Sequence, residues 1–241
     1  QRMDYRHPRM AELFAAHLRE RRTDVVHSFH LRHVGADLLD VVRAQERGLV
    51  VSLTDFWFLC PRVILMRSDG RACDGPPDGG RGCIECHQPD LARELADHPA
   101  AAELLALHGN APGASKAGWD LRSRVATFLE RPAYLRERLL RAHSIVAPTA
   151  FLRSVFVQNG LPAERIEHQG YGIDTTGIAA GAAATRSAER PLTFGFFGTF
   201  SDHKGPHVLV QAMAQVRGDC RVLLRGDRKS TRLNSSHSSV S

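Results

Sequence analysis

The stretch SIVAPTAFLRSVFVQNGLPAERIEHQ, residues 144–169, decides the fold class. Its first four residues are typical of a short buried strand, and residues 150–159 predict a helix that ends at Gly160. The last four residues, IEHQ, predict another short strand. A strand, a helix and a strand joined by short connections form a parallel β-α-β unit, so the stretch predicts an α/β protein with a parallel sheet.

The same alternation continues on both sides of this stretch. The apolar patterns predict helices over residues 8–20, 34–47, about 89–107, 119–141 and 205–216, and strands over residues 24–29, 49–53, 192–197 and 221–224. We therefore expect a Rossmann-like parallel-sheet domain over residues 1–174 and the first β-α-β unit of a second, incomplete Rossmann-like domain over residues 191–226. The Ala-, Gly- and Thr-rich segment 175–190 between them is typical of a linker.

The C-terminal residues have a different origin in this interpretation. Residues 227–237 are the uninterrupted translation of a common sequencing-adapter DNA over eleven codons. We expect residues 227–241 to be a non-native tail, and the second domain to stop short for the same reason. Because the chain begins with Gln1 rather than Met, we also expect its N-terminus to be a cut rather than the true start of the protein.

The composition predicts a globular protein with a mildly basic surface. The 241 residues are 43% hydrophobic and carry a net charge of +6, which suits nucleotides or lipid headgroups as partners. No apolar run approaches the ~20 residues of a membrane span, and no secretory signal opens the chain, so we expect a cytoplasmic protein. The Arg-rich helix over 121–141 alternates its charges with Glu130 and Glu137, which argues against a nucleic-acid surface.

Four of the five cysteines lie within residues 60–86. Cys83 and Cys86 have the C-x-x-C spacing of half a zinc knuckle, whereas twelve residues separate Cys60 from Cys73. Three interpretations stay open. The first is a structural zinc ion bound by all four thiolates, with His87 as a reserve ligand. The other two are unpaired thiols and disulfides. Four thiolates would leave zinc no open position, so no catalytic metal is predicted.

The segment FGTFSDHKGPH, residues 197–207, joins a predicted strand to a predicted helix. Gly198 permits a tight turn with Thr199 after it, and Gly205 permits a close approach of the backbone to a ligand. Lys204 adds a positive charge beside the N–H groups of the helix start, which attract anions. The segment predicts a phosphate site, although it matches no established dinucleotide or triphosphate motif.

Four segments, in order and spacing, resemble glycosyltransferase family 4: residues 24–39, 50–62, 142–174 and 192–213. The resemblance implies two facing Rossmann-like domains and a retaining transfer of sugar from a nucleotide-diphosphate sugar to an acceptor hydroxyl. It implies a glycan or lipid-linked acceptor and, with it, peripheral association with the inner face of a membrane. It also places two glutamates, seven residues apart, beyond Gly226, and implies that the first strand of the first domain and its glycine loop are missing. We therefore expect nucleotide binding and catalysis to be crippled in the chain alone, which should show no sugar transfer.

The resemblance also assigns roles to single residues. Lys204 is expected to contact the donor diphosphate together with Gly198, Thr199 and Gly205, although the arginine that many members carry before this lysine is missing. Asp55 and Thr54 are expected beside the reacting sugar, where the family often has His-Asp, and a threonine cannot carry a proton as imidazole can.

The acceptor cleft is expected to include His27, His30 and Trp57. The cluster of residues 56–58 either stacks on a sugar or lipid or packs in the core. The alternative function is a zinc-stapled binding module without enzymatic activity. A dinucleotide-dependent oxidoreductase is disfavoured because no G-x-G-x-x-G follows any predicted strand.

Overall fold

A computed structural model of the protein describes residues 5–97, 116–176 and 191–227. The chain divides into two compact units, Gln1–Gly172 and Ile173–Ser241. The predicted linker over 175–190 and tail over 227–241 lie outside the described residues except for 175, 176 and 227. Each unit is described by itself.

The first unit is built on a parallel four-stranded sheet, which confirms the predicted α/β class. Its strands are β1 (Val25–Ser28), β2 (Gly48–Ser52), β3 (Ser144–Ala147) and β4 (Ile166–His168), in the order β1-β2-β3-β4. All neighbours are parallel, and the register pairs His27 with Val50 and Ile145 with Ile166. Parallel pairing brings the carboxyl ends of all four strands to one edge of the sheet.

The described residues of this unit form six helices: α1 (Pro8–Glu20), α2 (Asp37–Ala44), α3 (Gly82–His87), α4 (Pro89–Ala96), α5 (Lys116–Leu139) and α6 (Ala150–Gln158). Side chains fix two of their starts. His7 accepts a hydrogen bond from the backbone N–H of Met10, and Thr149 accepts one from Leu152. Such caps satisfy N–H groups that have no partner within the helix.

Helix α2 is shorter than the predicted span 34–47 because the chain turns before it. Gly35 has φ +87, a left-handed conformation that interrupts the helix. A Cβ at Gly35 would lie 2.7 Å from the backbone nitrogen of His7, so the N-terminal segment lies directly on this turn. The helix predicted over 89–107 is described only as far as Ala96, and residues 98–115 lie outside the described residues.

Among its described residues, two hydrophobic clusters stabilise the first unit. The larger one surrounds the sheet and includes the fully buried side chains of Leu49, Leu135 and Phe156. The smaller one lies where α3, α4 and α5 meet, and its buried members are Ile84, Leu91, Leu95, Leu121, Val125 and Phe128. Helix α5 contributes to both clusters, so it joins the connection between β2 and β3 to the main core.

The second unit contains a single β-α-β arrangement in its described part. Strands β5 (Leu192–Phe197) and β6 (Cys220–Arg225) are parallel, and helix α7 (Pro206–Met213) lies between them in sequence. The strand predicted over 192–197 is confirmed residue for residue. A search of the described residues finds no helix whose length and hydropathy would let it cross a membrane.

Candidate functional site

The carboxyl ends of β1 and β2 form a polar edge in the first unit. His27 lies in β1 and Ser52 in β2, and the Nε2 atom of His27 is 2.9 Å from the Oγ atom of Ser52. The His27 ring stacks on Phe29 with the ring centroids 4.2 Å apart. Parallel pairing brings these residues together although they are far apart in sequence, and open α/β sheets bind their ligands at this edge.

The loops that follow β1 and β2 meet through His30, Thr54 and Asp55. The Nδ1 atom of His30 lies 3.2 Å from Oδ2 of Asp55, and the Thr54 hydroxyl donates a 2.9 Å hydrogen bond to the carbonyl oxygen of Phe29. The second carboxylate oxygen of Asp55 accepts a 2.7 Å hydrogen bond from the backbone N–H of Trp57. Asp55 therefore holds both its own loop and the imidazole of His30.

This pair orients an imidazole toward solvent. When Nδ1 of His30 donates to the carboxylate, Nε2 is left as a hydrogen-bond acceptor. The His30 side chain is 48% exposed, so a ligand hydroxyl can reach it. In the family that the sequence resembles, a histidine often stands at the position of Thr54. In this structure an imidazole, that of His30, lies instead beside Asp55, the residue after Thr54.

Exposed aromatic rings follow the strands of the first unit along the same edge. Phe29 follows β1, Phe151 follows β3 and Tyr171 follows β4, and these side chains are 52%, 69% and 62% exposed. Phe56 follows β2 and makes an edge-to-face contact with Phe151, with the ring centroids 6.4 Å apart. Exposed rings beside polar groups suit a ligand that has both apolar faces and hydroxyl groups.

Trp57 was expected in the acceptor cleft, but the structure places it in the core. Its side chain is 1% exposed and that of Phe58 is 8% exposed. The Arg131 guanidinium lies 5.5 Å from the Trp57 ring centroid and donates a hydrogen bond to the Trp57 carbonyl oxygen. A ring buried in this way has no face available to a ligand, so core packing accounts for this residue.

The predicted phosphate segment forms one loop in the second unit. Gly198 and Thr199 follow β5, and Lys204 ends a short 3-10 turn directly before Gly205. Gly205 adopts a left-handed φ of +71 and precedes α7, whose first residue, Pro206, has no N–H to offer. The next N–H groups of the helix and the exposed Lys204 ammonium therefore supply the positive character of this loop.

Close backbone contacts hold the same loop against the end of β6 and the residues directly after it. The N–H of Gly198 donates to the carbonyl oxygen of Arg225 at 3.0 Å, and Phe200 donates to Asp227 at 2.9 Å. A Cβ at Gly226 would lie 1.7 Å from the carbonyl oxygen of Gly198, so only glycine fits there. The backbone that would face an anion is thus positioned by the second strand of its own unit.

The four clustered cysteines line one cavity in the first unit. Cys60, Cys73, Cys83 and Cys86 all border it, as does His87, and its free volume is about 20 Å³. All five cysteines of the chain are among the described residues, and none forms a disulfide. The described residues contain no group of three or more His, Cys, Asp or Glu side chains that is already arranged to hold a metal ion.

The thiols of this cavity affect one another electrostatically. Burial, which has the largest effect, and the nearby thiols of Cys60, Cys73 and Cys86 together raise the pKa of Cys83 to about 12, against an opposing effect of Arg131. The direction follows because burial and neighbouring negative charges both disfavour a thiolate. The four side chains are therefore close enough to interact, although they come from three different parts of the chain.

Sequence reasoning missed two residues of the polar edge. Ser52 was counted only as part of a strand, and Phe151 only as part of a helix. The available sequence signal for Phe151 was a phenylalanine in the first turn of a helix that follows a strand. The structure shows that its side chain is exposed. Nothing in the local sequence of Ser52 indicates that it meets His27.

No family model matches the chain, and a search of curated proteins finds no match either.

Proposed function

We propose that the chain acts in the transfer of a sugar, with retention of configuration, from a nucleotide-diphosphate sugar to an acceptor hydroxyl. The observation that carries the proposal is the polar edge of the first unit, where the His30–Asp55 pair lies beside exposed aromatic rings. The ordered resemblance of four segments to glycosyltransferase family 4 supports the same function. The alternation of strands and helices that this resemblance implies agrees with the α/β fold of both units.

The first unit is proposed to bind the acceptor. Exposed rings such as Phe29 and Phe151 can stack on the apolar face of a sugar or on a lipid, and the Nε2 atom of His30 can accept a hydrogen bond from the acceptor hydroxyl. Asp55 would keep that imidazole in the tautomer that leaves Nε2 free of hydrogen. A lipid-linked acceptor would place the protein at the cytoplasmic face of a membrane.

The second unit is proposed to bind the diphosphate of the donor. Charge builds up on the leaving diphosphate as the glycosidic bond breaks, and fixed positive groups stabilise it. Lys204 and the start of α7 are the groups that would do this, with Gly205 keeping the backbone open to close approach. Neither role calls for a catalytic metal.

A nucleic-acid partner is not proposed, because basic residues within α5 and directly after it already have partners. Arg141 forms ion pairs with Asp40 at 2.9 Å and with Glu137 at 2.8 Å. Arg136 donates a 2.7 Å hydrogen bond to the carbonyl oxygen of Gly160. These guanidinium groups stabilise the packing of α5 and are poorly placed to neutralise phosphates of a nucleic acid.

The experiment that tests the proposal measures nucleoside-diphosphate binding to the chain by calorimetry, across uridine, guanosine and adenosine diphosphates. Because the second domain is expected to be incomplete, we expect one of them to bind weakly, and Lys204→Ala to weaken that binding further by about tenfold or more, which corresponds to the loss of ~1.4 kcal/mol. Arg217→Ala, which removes another positive charge of the second unit, is the matched control. The proposal fails if none of the three binds, or if both variants bind as the parent chain does.

A further inference from the structure

The cavity lined by the four cysteines has the size of a single bound atom. Its free volume of about 20 Å³ slightly exceeds the ~10–15 Å³ that one water-sized sphere requires. Four thiols border this space, and sulfur binds soft and borderline metal ions in preference to magnesium or calcium. This lining offers four thiol ligands to one metal ion, and the cavity is too small for an organic ligand. Because no three ligating side chains of the described residues are yet placed to hold a metal, binding requires the thiols to move closer together.

We propose that Cys60, Cys73, Cys83 and Cys86 bind one zinc ion, which joins the loop 60–86 to the core of the first unit. The contacts that now hold two of the thiols are weak ones. Cys73 donates a hydrogen bond to the carbonyl oxygen of Gly75, and Cys86 lies 3.9 Å from a guanidinium nitrogen of Arg62. Zinc binding exchanges such contacts for zinc–sulfur bonds, and each thiol that binds releases its proton to solvent.

The four ligands connect the two hydrophobic clusters. Cys60 is a buried member of the larger cluster and Cys73 packs against it, whereas Cys83 packs against the smaller one. A metal ion bound to all four thiolates therefore cross-links the two clusters across the loop. This is the role of a closed structural zinc site, in which no coordination position remains for a substrate.

The backbone of the same loop needs such a cross-link. Val63 and Leu65 adopt positive φ values of 74 and 48, and Asp78 has φ 49. Positive φ is a genuine outlier for a β-branched residue such as valine, and each strained residue costs on the order of 1–3 kcal/mol. Strain of this kind persists only where surrounding interactions hold the backbone in place, and zinc–sulfur bonds would do so.

Four cysteines, without His87, form the ligand set. The imidazole of His87 makes an edge-to-face contact with Phe128, with the ring centroids 5.8 Å apart, which turns it to the smaller hydrophobic cluster. Zinc bound by four thiolates has a net negative charge. Arg62 beside Cys86 is placed to offset that charge.

The test begins with the full chain, freed of metal by a chelator and then titrated with Zn²⁺ and with Co²⁺. We expect one equivalent of metal per chain, and Co²⁺ should produce the visible bands of a tetrahedral ion together with thiolate charge-transfer absorption. X-ray absorption of the zinc form should show sulfur neighbours at ~2.3 Å. The chain has five cysteines, so alkylation should modify one thiol in the zinc form and five in the metal-free form.

Variants identify the ligands. Cys83→Ser and Cys73→Ser should each lose the tetrahedral Co²⁺ spectrum, whereas Cys220→Ser, in the second unit, should keep it. The proposal is overturned if the parent chain binds no Co²⁺, if its spectrum lacks thiolate absorption, or if mass spectrometry finds the four cysteines in disulfides. If a serine variant does not fold, the stoichiometry, spectrum and thiol count of the parent chain still decide the question. None of these measurements depends on the proposed transferase activity.

Discussion

Substitutions of Asp55 can separate the structural from the chemical task of its carboxylate. One oxygen accepts the backbone N–H of Trp57 at 2.7 Å, and the other lies 3.2 Å from Nδ1 of His30. Asp55→Asn keeps an oxygen for the N–H of Trp57 and removes the negative charge. Asp55→Ala removes both interactions.

The expected magnitudes follow from burial. The side chains of His30 and Asp55 are 48% and 28% exposed, and a polar contact as exposed as this contributes on the order of 0–1 kcal/mol. Trp57 is 1% exposed, so leaving its N–H without a partner costs about 1–3 kcal/mol. We therefore expect Asp55→Asn to lower the free energy of unfolding by less than ~1 kcal/mol, and Asp55→Ala to lower it by ~1–3 kcal/mol.

Urea denaturation followed by tryptophan fluorescence measures this difference, because both tryptophans, Trp57 and Trp119, belong to the first unit. Thr54→Val, which removes the hydrogen bond to the carbonyl oxygen of Phe29, serves as a neighbouring control. The reasoning is refuted if Asp55→Asn lowers the free energy of unfolding as much as Asp55→Ala does. The negative charge of Asp55 would then contribute more to stability than its hydrogen bond with the N–H of Trp57.

Three further predictions concern the first unit. Leu135→Ala should lower the free energy of unfolding in urea by about 2–5 kcal/mol, because this fully buried side chain of α5 would leave a cavity; a change below ~1 kcal/mol would contradict the packing. Gly80→Ala should destabilise more than Gly79→Ala in the same assay, because both have positive φ but only at Gly80 would a Cβ lie 2.3 Å from the Phe128 carbonyl oxygen. In metal-free protein, burial raises the pKa of Cys83 from 9.0 to about 12, so stability should be retained below pH 9.0 and lost as the pH rises toward 12. Cys83→Ala should remove that part of the pH dependence of the urea midpoint, and an unchanged dependence would exclude this thiol as its source.

Much of the fold follows from local patterns. The strand over 144–147 lies in the structure at its predicted position, because apolar residues flanked by a turn proline leave little choice of register. The start of α2 was misplaced by three residues. The left-handed turn at Gly35 is held by Tyr5, whose carbonyl oxygen accepts the N–H of Ala36 at 2.7 Å, and no local pattern contains that long-range contact.

The candidate site depended more strongly on the tertiary structure. The resemblance selected Asp55 and His30 as site residues, but the 3.2 Å contact between them could not be predicted from the sequence. The aromatic cluster of residues 56–58 left two fates open, and only packing against Arg131 placed Trp57 in the core.

The sequence by itself determined the alternation of strands and helices, the glycine at the start of α7 and the spacing of the cysteines, because these depend on neighbours within a few residues. Tertiary structure alone decided that His30 meets Asp55, that Ser52 meets His27 and that thiols from positions 60, 73, 83 and 86 border one cavity. The physical reason is the same in each case: parallel strand register and the packing of α3, α4 and α5 bring together side chains whose separation in sequence says nothing about their separation in space.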